Sequence, residues 1–262
     1  MSTTHEQSGM RLGDVSRPSL GLLLSEPVRG LHGFATMPLA APWLLSAPRG
    51  DGHAVLVLPG LLASDVSTSV LRRFVRRLGY HAVGWNLGRN RGPTERVVGE
   101  LPRALAALAE QTGRPVSVIG WSLGGIYARE LARRQPEHVR QVITLGSPFG
   151  MTDDRQSHAH RAYQRSAHRH AKEGVPTRER LADPIGVPST AVYSRNDGIV
   201  AWQACTGTES ELHESVEVRC AHLGFGNDPA TLWLIADRLA AHPGRRKRFR
   251  PPARLRAHFP GS

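Results

Sequence analysis

The chain is 262 residues long, 40% hydrophobic, with a formal net charge of +12. That length suits one α/β domain carrying an insertion and can bury a sizeable core, and no uninterrupted apolar run approaches the ~20 residues of a membrane-spanning helix. Its two cysteines, Cys205 and Cys220, do not make a disulfide framework, although an oxidising compartment would leave a single bridge open.

The N-terminus lacks the order of charged, apolar and small-residue regions that marks a secretory leader, so a cytoplasmic protein is expected. Residues 1–51 are rich in Ser, Pro and Gly and read as a loosely structured lead-in, with short helices around Leu20 and Leu39. From Arg245 to the end stand seven Arg and Lys residues and no acid. Beside Pro251 and Pro252 this run reads as a disordered basic tail over 244–262. Such a tail allows weak contact with an anionic membrane; no specific nucleic acid is expected.

Order begins at His53–Leu58, a continuous apolar run of the kind that forms a central strand buried on both faces. Asp65 is placed to cap a helix whose Val66, Val70, Phe74 and Leu78 recur at helical spacing. His81–Trp85 is a second strand, and a polar loop through Asn90 leads to a helix over 94–111, kinked at Pro102. Further strands follow at Val116–Gly120, Gln141–Leu145, Thr190–Tyr193 and Ser215–Arg219, with a helix from Leu123 to Arg134 between the first two. Asp228 and Pro229 open the closing helix as N-cap and first residue. This alternation predicts a mostly parallel sheet with helices on both faces over 52–243. It lapses only at 151–184, a charged, His-rich stretch that reads as a mobile polar cap inserted on the sheet.

Gly120-Trp-Ser122-Leu-Gly-Gly125 fits G-x-S-x-G between an apolar strand and an amphipathic helix. A serine there sits on a strained turn, and the glycines remove Cβ atoms that would clash with strand and helix. Ser122 is therefore the candidate nucleophile. Two N–H donors must face a developing oxyanion. Leu123 supplies one, and the loop Pro59-Gly60-Leu61-Leu62 supplies the other, from Leu61 in preference to Leu62. Along such a chain the order is Ser, acid, His. Asp197 in Tyr193-Ser-Arg-Asn-Asp-Gly198 is the preferred acid, with Asp153 and Asp154 as rivals. His222, in the glycine-rich Cys220–Gly226, is the base.

His158, His160, His168 and His170 form two H-x-H pairs in the insertion. They stand among Arg residues with no Cys and few carboxylates, so no metal is expected. Arg89 and Arg91 flank Asn90 in a surface loop near the site edge.

The pieces Leu58–Ala63, Gly120–Gly125, Leu145–Pro148, Tyr193–Gly198 and His222–Gly224 together resemble the α/β-hydrolase superfamily, and within it bacterial esterase and lipase-like members. The likeness covers about 55–239. It implies hydrolysis of carboxylic esters without a cofactor, on a small-molecule or lipid ester. Pro59 stands where many relatives carry His before the glycine, and the insertion is more polar than a lipase lid. Two other functions are carried forward: an acyltransferase on the same fold, and a basic protein that binds nucleic acid or anionic membrane through its tail.

Overall fold

The computed structural model describes residues 15–175, 177–241 and 247–261. Six strands, β1 (Ala54–Leu58), β2 (His81–Gly84), β3 (Val116–Trp121), β4 (Val139–Leu145), β5 (Ser189–Tyr193) and β6 (His213–Glu217), form one all-parallel sheet in the order β2-β1-β3-β4-β5-β6. The described helices are α1 (Leu20–Leu44), α2 (Ser69–Arg77), α3 (Glu95–Thr112), α4 (Leu123–Arg134), α5 (His160–Arg165), α6 (Arg178–Leu181) and α7 (Pro229–Ala240), with short 3₁₀ turns between.

Strand side chains alternate between two cores. Val55, Val57, Ile119, Trp121, Ile143 and Leu145 pack under α1, α2 and α7. Leu56, Leu58, Val116, Val118 and Val142 pack on the opposite face under α3 and α4. Every residue of β1 and β3 is buried, which is why β1 reads as an unbroken apolar run and β3 as one interrupted only by Ser117. The chain leaves β1 for β2 on one side and returns to β3 on the other. The crevice at the carboxyl ends of β1 and β3 is thus the topological switch point, where open α/β sheets place ligands.

Several expectations change. Residues 20–44 form one 25-residue helix, not a loose lead-in with two short ones. Its inward face is Glu26, Gly30, Gly33, Ala40 and Leu44, so the apolar pattern gave no core-facing stripe, and three prolines inside the helix read as loop. The tail is also partly folded. Phe249, Leu255 and Phe259 are buried in the core beside α7, and 253–258 make a 3₁₀ turn. Charge dominated that segment in sequence, but its few apolar groups decide its place. Residues 1–14, 242–246 and 262 lie outside the described residues.

Asp65 does not cap α2, whose N-cap is Thr68. Its carboxylate instead accepts the N–H groups of Trp85 and Asn86 at 3.0 Å each, fixing the end of β2. β6 starts at His213, two residues before the apolar alternation begins, because its polar residues find partners on β5: Ser189 Oγ meets His213 Nδ1 at 2.8 Å, and Thr190 donates to Glu214 at 3.0 Å. α3 runs through Pro102 without interruption and ends at Gly113, whose φ of 65° closes the helix in the left-handed region. Asp228 and Pro229 open α7 as expected, with Asp228 accepting the Thr231 N–H at 2.8 Å.

Candidate active site

β3 ends at Trp121 and α4 starts at Leu123, so one residue makes the whole turn. Ser122 does so at φ 52° and ψ −120°, a conformation costly to any residue with a Cβ. Its N–H is held by Leu145 C=O at 2.8 Å and its C=O accepts from Gly125 at 2.9 Å. The glycines permit the crossing: a Cβ on Gly124 would stand 2.5 Å from the Leu58 carbonyl oxygen, and one on Gly120 would overlap the Gly124 carbonyl. Ser122 thus sits at the N-terminus of a 12-residue helix, whose dipole favours negative charge there.

A cavity of about 210 Å³ opens beside it, bordered by Leu61, Ser122, Leu123, Ile126, Tyr127 and Pro148. Pro93 and Val200 add to the wall, and the insertion contributes Met151, Tyr163, Val175 and Leu181 beside polar groups such as His160 and Arg178. The segment expected to be a mobile polar cap therefore turns apolar side chains inward. It is also anchored: Thr94 bridges His170, Ser157 bridges Val200, and Ala171 N–H bonds Pro93 C=O at 2.8 Å.

Leu61 and Leu123 both border the cavity, and no partner among the described residues takes either N–H. The Leu62 N–H is spent on the Asn90 carbonyl at 2.7 Å, which separates the two leucines as donors. Asn90 itself is fully buried and braces the loop. Its Nδ2 donates to Pro59 C=O at 2.9 Å, and its Oδ1 accepts from Gly92 N–H at 3.1 Å and Tyr127 OH at 3.3 Å. Asn90 thus sits inward in a loop expected at the surface, while the flanking Arg89 and Arg91 are exposed.

Asp197 and His222 come from the loops after β5 and β6 and meet under cover. His222 Nδ1 lies 2.6 Å from Asp197 Oδ2, with both side chains almost wholly buried. Asp197 Oδ1 accepts the N–H groups of Ile199 and Val200 at 2.8 Å each, which fixes the carboxylate plane. Gly146, just past β4, turns at φ 54°, and a Cβ there would stand 2.5 Å from the Phe225 ring and press on Asp197 Oδ2 and His222 Nδ1 at 3.1 Å, so glycine suits the position beneath the pair. The Trp121 indole N–H donates to His222 C=O at 3.1 Å, tying the histidine to the residue before Ser122. Burial opposes charge on the imidazole, but the Asp197 charge and hydrogen bond, with a further contribution from Glu26, outweigh it and raise the His222 pKa above 6.5.

Glu26 was missed in the sequence. It is buried on α1, and its carboxylate accepts three main-chain N–H groups: Gly198 at 2.6 Å and His222 at 2.9 Å on Oε1, and Leu223 at 3.0 Å on Oε2. It therefore joins Gly198, the residue after Asp197, to His222. Arg29, one turn on, pairs with Glu26 at 3.3 Å and donates to Asn196 C=O at 2.7 Å. The available signal was spacing. Glu26, Gly30 and Gly33 share one helix face, and a Cβ on Gly30 or Gly33 would collide with Leu223 or Asn227.

The rival acids are engaged in the insertion. Asp153 caps a 3₁₀ turn and bonds Arg155, while Asp154 pairs with Arg178 and with His160 at 3.1 Å. His158 bonds Pro18 C=O at 2.9 Å, and His170 packs on Tyr163 and meets Ser166 Oγ at 3.1 Å. Among the described residues no group of three or more His, Cys, Asp or Glu is placed to hold a metal ion. Cys205 and Cys220 are separate buried thiols, both pushed to high pKa chiefly by burial.

The fold is that of the α/β-hydrolases. Three solved structures share it: lipase B of Aspergillus fumigatus (TM-score 0.53, 15% identity, covering 75% of this chain and 55% of that one), a monoacylglycerol lipase of Paleococcus ferrophilus (0.51, 15%, 74% and 96%) and an α/β-hydrolase from the metagenome of lagoon sediments at Mar Chica (0.51, 16%, 72% and 91%). The Esterase family model matches residues 89–227, more than half of the chain, and the protein belongs to that family. Among curated proteins, the pimeloyl-[acyl-carrier protein] methyl ester esterase of Shewanella sp. (strain MR-7) is 29% identical over 113 residues, 43% of this chain and 42% of that protein. The enzyme of the same name from Neisseria meningitidis is 38% identical over 55 residues, 21% of this chain and 18% of that one. The chain thus spans about two-fifths or less of the length of these relatives.

Proposed function

We propose that this protein hydrolyses carboxylic esters through an acyl-enzyme on Ser122, with His222 as base and Asp197 as its orienting acid. The observation that carries the reading is Ser122 held at positive φ between β3 and α4, bordering a cavity, with the buried His222–Asp197 pair tied to the preceding residue by the Trp121 indole N–H. In this reading Ser122 Oγ attacks the acyl carbon while His222 Nε2 takes its proton. Asp197 keeps the other proton on Nδ1 and so fixes the tautomer. The oxyanion accepts hydrogen bonds from the N–H groups of Leu61 and Leu123, which need no reorganisation. His222 returns the proton to the leaving alcohol, then draws a proton from the water that attacks the acyl-enzyme.

The cavity wall is mostly apolar and small in volume, which favours short, uncharged acyl groups. Methyl esters come first for testing, since the curated relatives named above are methyl ester esterases. The acyltransferase reading has no separate observation in its favour. Turnover of methyl butyrate and of p-nitrophenyl acetate, butyrate and octanoate by the wild type and by Ser122→Ala tests the proposal. Hydrolysis by the wild type falling to background in the variant supports it; equal turnover by both rejects it.

A further inference from the structure

α1 presents its large apolar side chains away from the protein. Its inward face is small or acidic as far as Ala40 and becomes apolar only at its end, with Leu44, while Leu20, Leu24, Val28, Leu31 and Leu39 are exposed, Leu24 and Leu39 by 79% and 81%. These positions, with exposed Ala35 between the last two, follow the spacing of a single helix face. Pro27, Pro38 and Pro42 are exposed on the same side. The helix has only two charged residues, Glu26 and Arg29, and both are engaged with the loops beneath it. An uncharged apolar stripe therefore runs along a helix of 25 residues, about 37 Å. Scattered exposed leucines are ordinary, but a continuous stripe of this length marks a contact surface.

Cations gather where the stripe ends. Arg49, Arg73 and Arg77 border a groove of about 290 Å³ between α1 and α2, whose apolar wall includes Leu44, Leu45 and Phe74. Arg254 donates to Ser46 at 2.6 Å and His258 stacks on Trp43, which brings the acid-free segment 247–261 alongside. Among the described residues no carboxylate lies in ion-pair range of Arg49, Arg73, Arg77 or Arg254.

We propose that α1 is the face by which this protein lies on an anionic lipid surface, its uncharged side in the acyl boundary and these arginines on the headgroups. An apolar helix face beside cations that lack carboxylate partners is what interfacial binding requires. No helix among the described residues is long and apolar enough to cross a membrane, so the mode is lying on the bilayer. A second copy could also cover the stripe. Self-pairing would, however, bring the same unneutralised arginines into one contact, whereas phosphate headgroups neutralise them. The surface adjoins the site: His158 of the insertion bonds Pro18, just ahead of α1, and Glu26 on its inward face holds the His222 loop. The proposal does not depend on ester hydrolysis, because binding is read without turnover.

The test is co-sedimentation of the full chain with phosphatidylcholine vesicles, with and without phosphatidylglycerol, at low and high salt. The wild type is expected to pellet with the anionic vesicles and to be released by salt. Leu24→Ser/Leu31→Ser/Leu39→Ser should weaken partitioning on the order of 10²-fold or more, as three leucines lose apolar burial. Arg49→Gln/Arg73→Gln/Arg77→Gln, which leaves the apolar stripe intact, should abolish the preference for phosphatidylglycerol. All six sites are exposed, so thermal melts should match the wild type. Wild-type protein that ignores both vesicle types overturns the proposal. So does a dimer by light scattering that the leucine variant breaks while vesicle binding is absent, or an arginine variant that keeps the full anionic preference.

Discussion

Removing the Glu26 carboxylate should damage both stability and turnover, because it is the shared acceptor of the acid and base loops. In Glu26→Ala the N–H groups of Gly198, His222 and Leu223 lose their partner inside the protein. Each buried donor left unpaired costs ~1–3 kcal/mol, and water entering the vacated space recovers part of that. A net loss of about 3 kcal/mol follows, or roughly 6–12 °C in Tm for a chain of this size. Loosening the His222 loop by even ~1 Å should lower kcat on the order of 10²-fold. KM should change little, since Glu26 does not border the cavity.

Glu26→Gln separates charge from shape, because the amide can still accept the Oε1 bonds. The groups facing His222 are Asp197 and Glu26, with Arg29 beside the latter and the Cys220 thiol and Phe225 ring nearby. Burial opposes charge on the imidazole, and Asp197 together with Glu26 raises its pKa in net terms. In the proposed mechanism neutral His222 is the base, so kcat/KM should fall as pH drops through that raised pKa. In Glu26→Gln this acidic limb should move to lower pH. The assay is kcat and KM on p-nitrophenyl butyrate across pH, with a melt for each variant. A wild-type kcat in Glu26→Ala, or an unmoved acidic limb in Glu26→Gln, would refute the reasoning.

Asp197→Asn should lower kcat on the order of 10⁴-fold, since the amide no longer fixes the His222 tautomer, whereas Asp153→Asn and Asp154→Asn should be mild; the reverse pattern in steady-state kinetics would move the acid into the insertion. Asn90→Ala should reduce kcat roughly 10–100-fold with KM nearly constant, because the loop carrying Leu61 loses the Asn90 amide that holds its Pro59 carbonyl and is itself fixed by Gly92 and Tyr127; a KM effect alone would place Asn90 in substrate binding instead. Tyr163→Ala enlarges the cavity from the insertion side and should shift preference toward longer acyl chains, read as kcat/KM across the ester series; an unchanged profile would remove the insertion from substrate selection.

The sheet was legible because β1 and β3 are buried along their whole length and leave largely apolar runs that little else produces. Ser122 was legible for a similar reason: the one-residue turn forces glycines on both sides of it. Glu26 and Asn90 were not, because each acts by accepting or donating main-chain hydrogen bonds across loops distant in sequence, and nothing local distinguishes such a residue from a solvated one. α1 reversed the usual rule. Its Gly30 and Gly33 pack inward against Leu223 and Asn227 while Leu20, Leu24, Leu31 and Leu39 face out, so hydrophobic periodicity pointed away from the core. The tail was misjudged by weighing its cations over Phe249, Leu255 and Phe259, three side chains that suffice to seat it beside α7.

The most direct measurement of the central claim is covalent trapping. The full chain is treated with a fluorophosphonate, digested, and mapped by mass spectrometry, with Ser122→Ala and Asp197→Asn in parallel. The account predicts one adduct, on the peptide containing Ser122, formed far more slowly in Asp197→Asn and absent from Ser122→Ala. An adduct on another residue, or labelling that persists in Ser122→Ala, would contradict it.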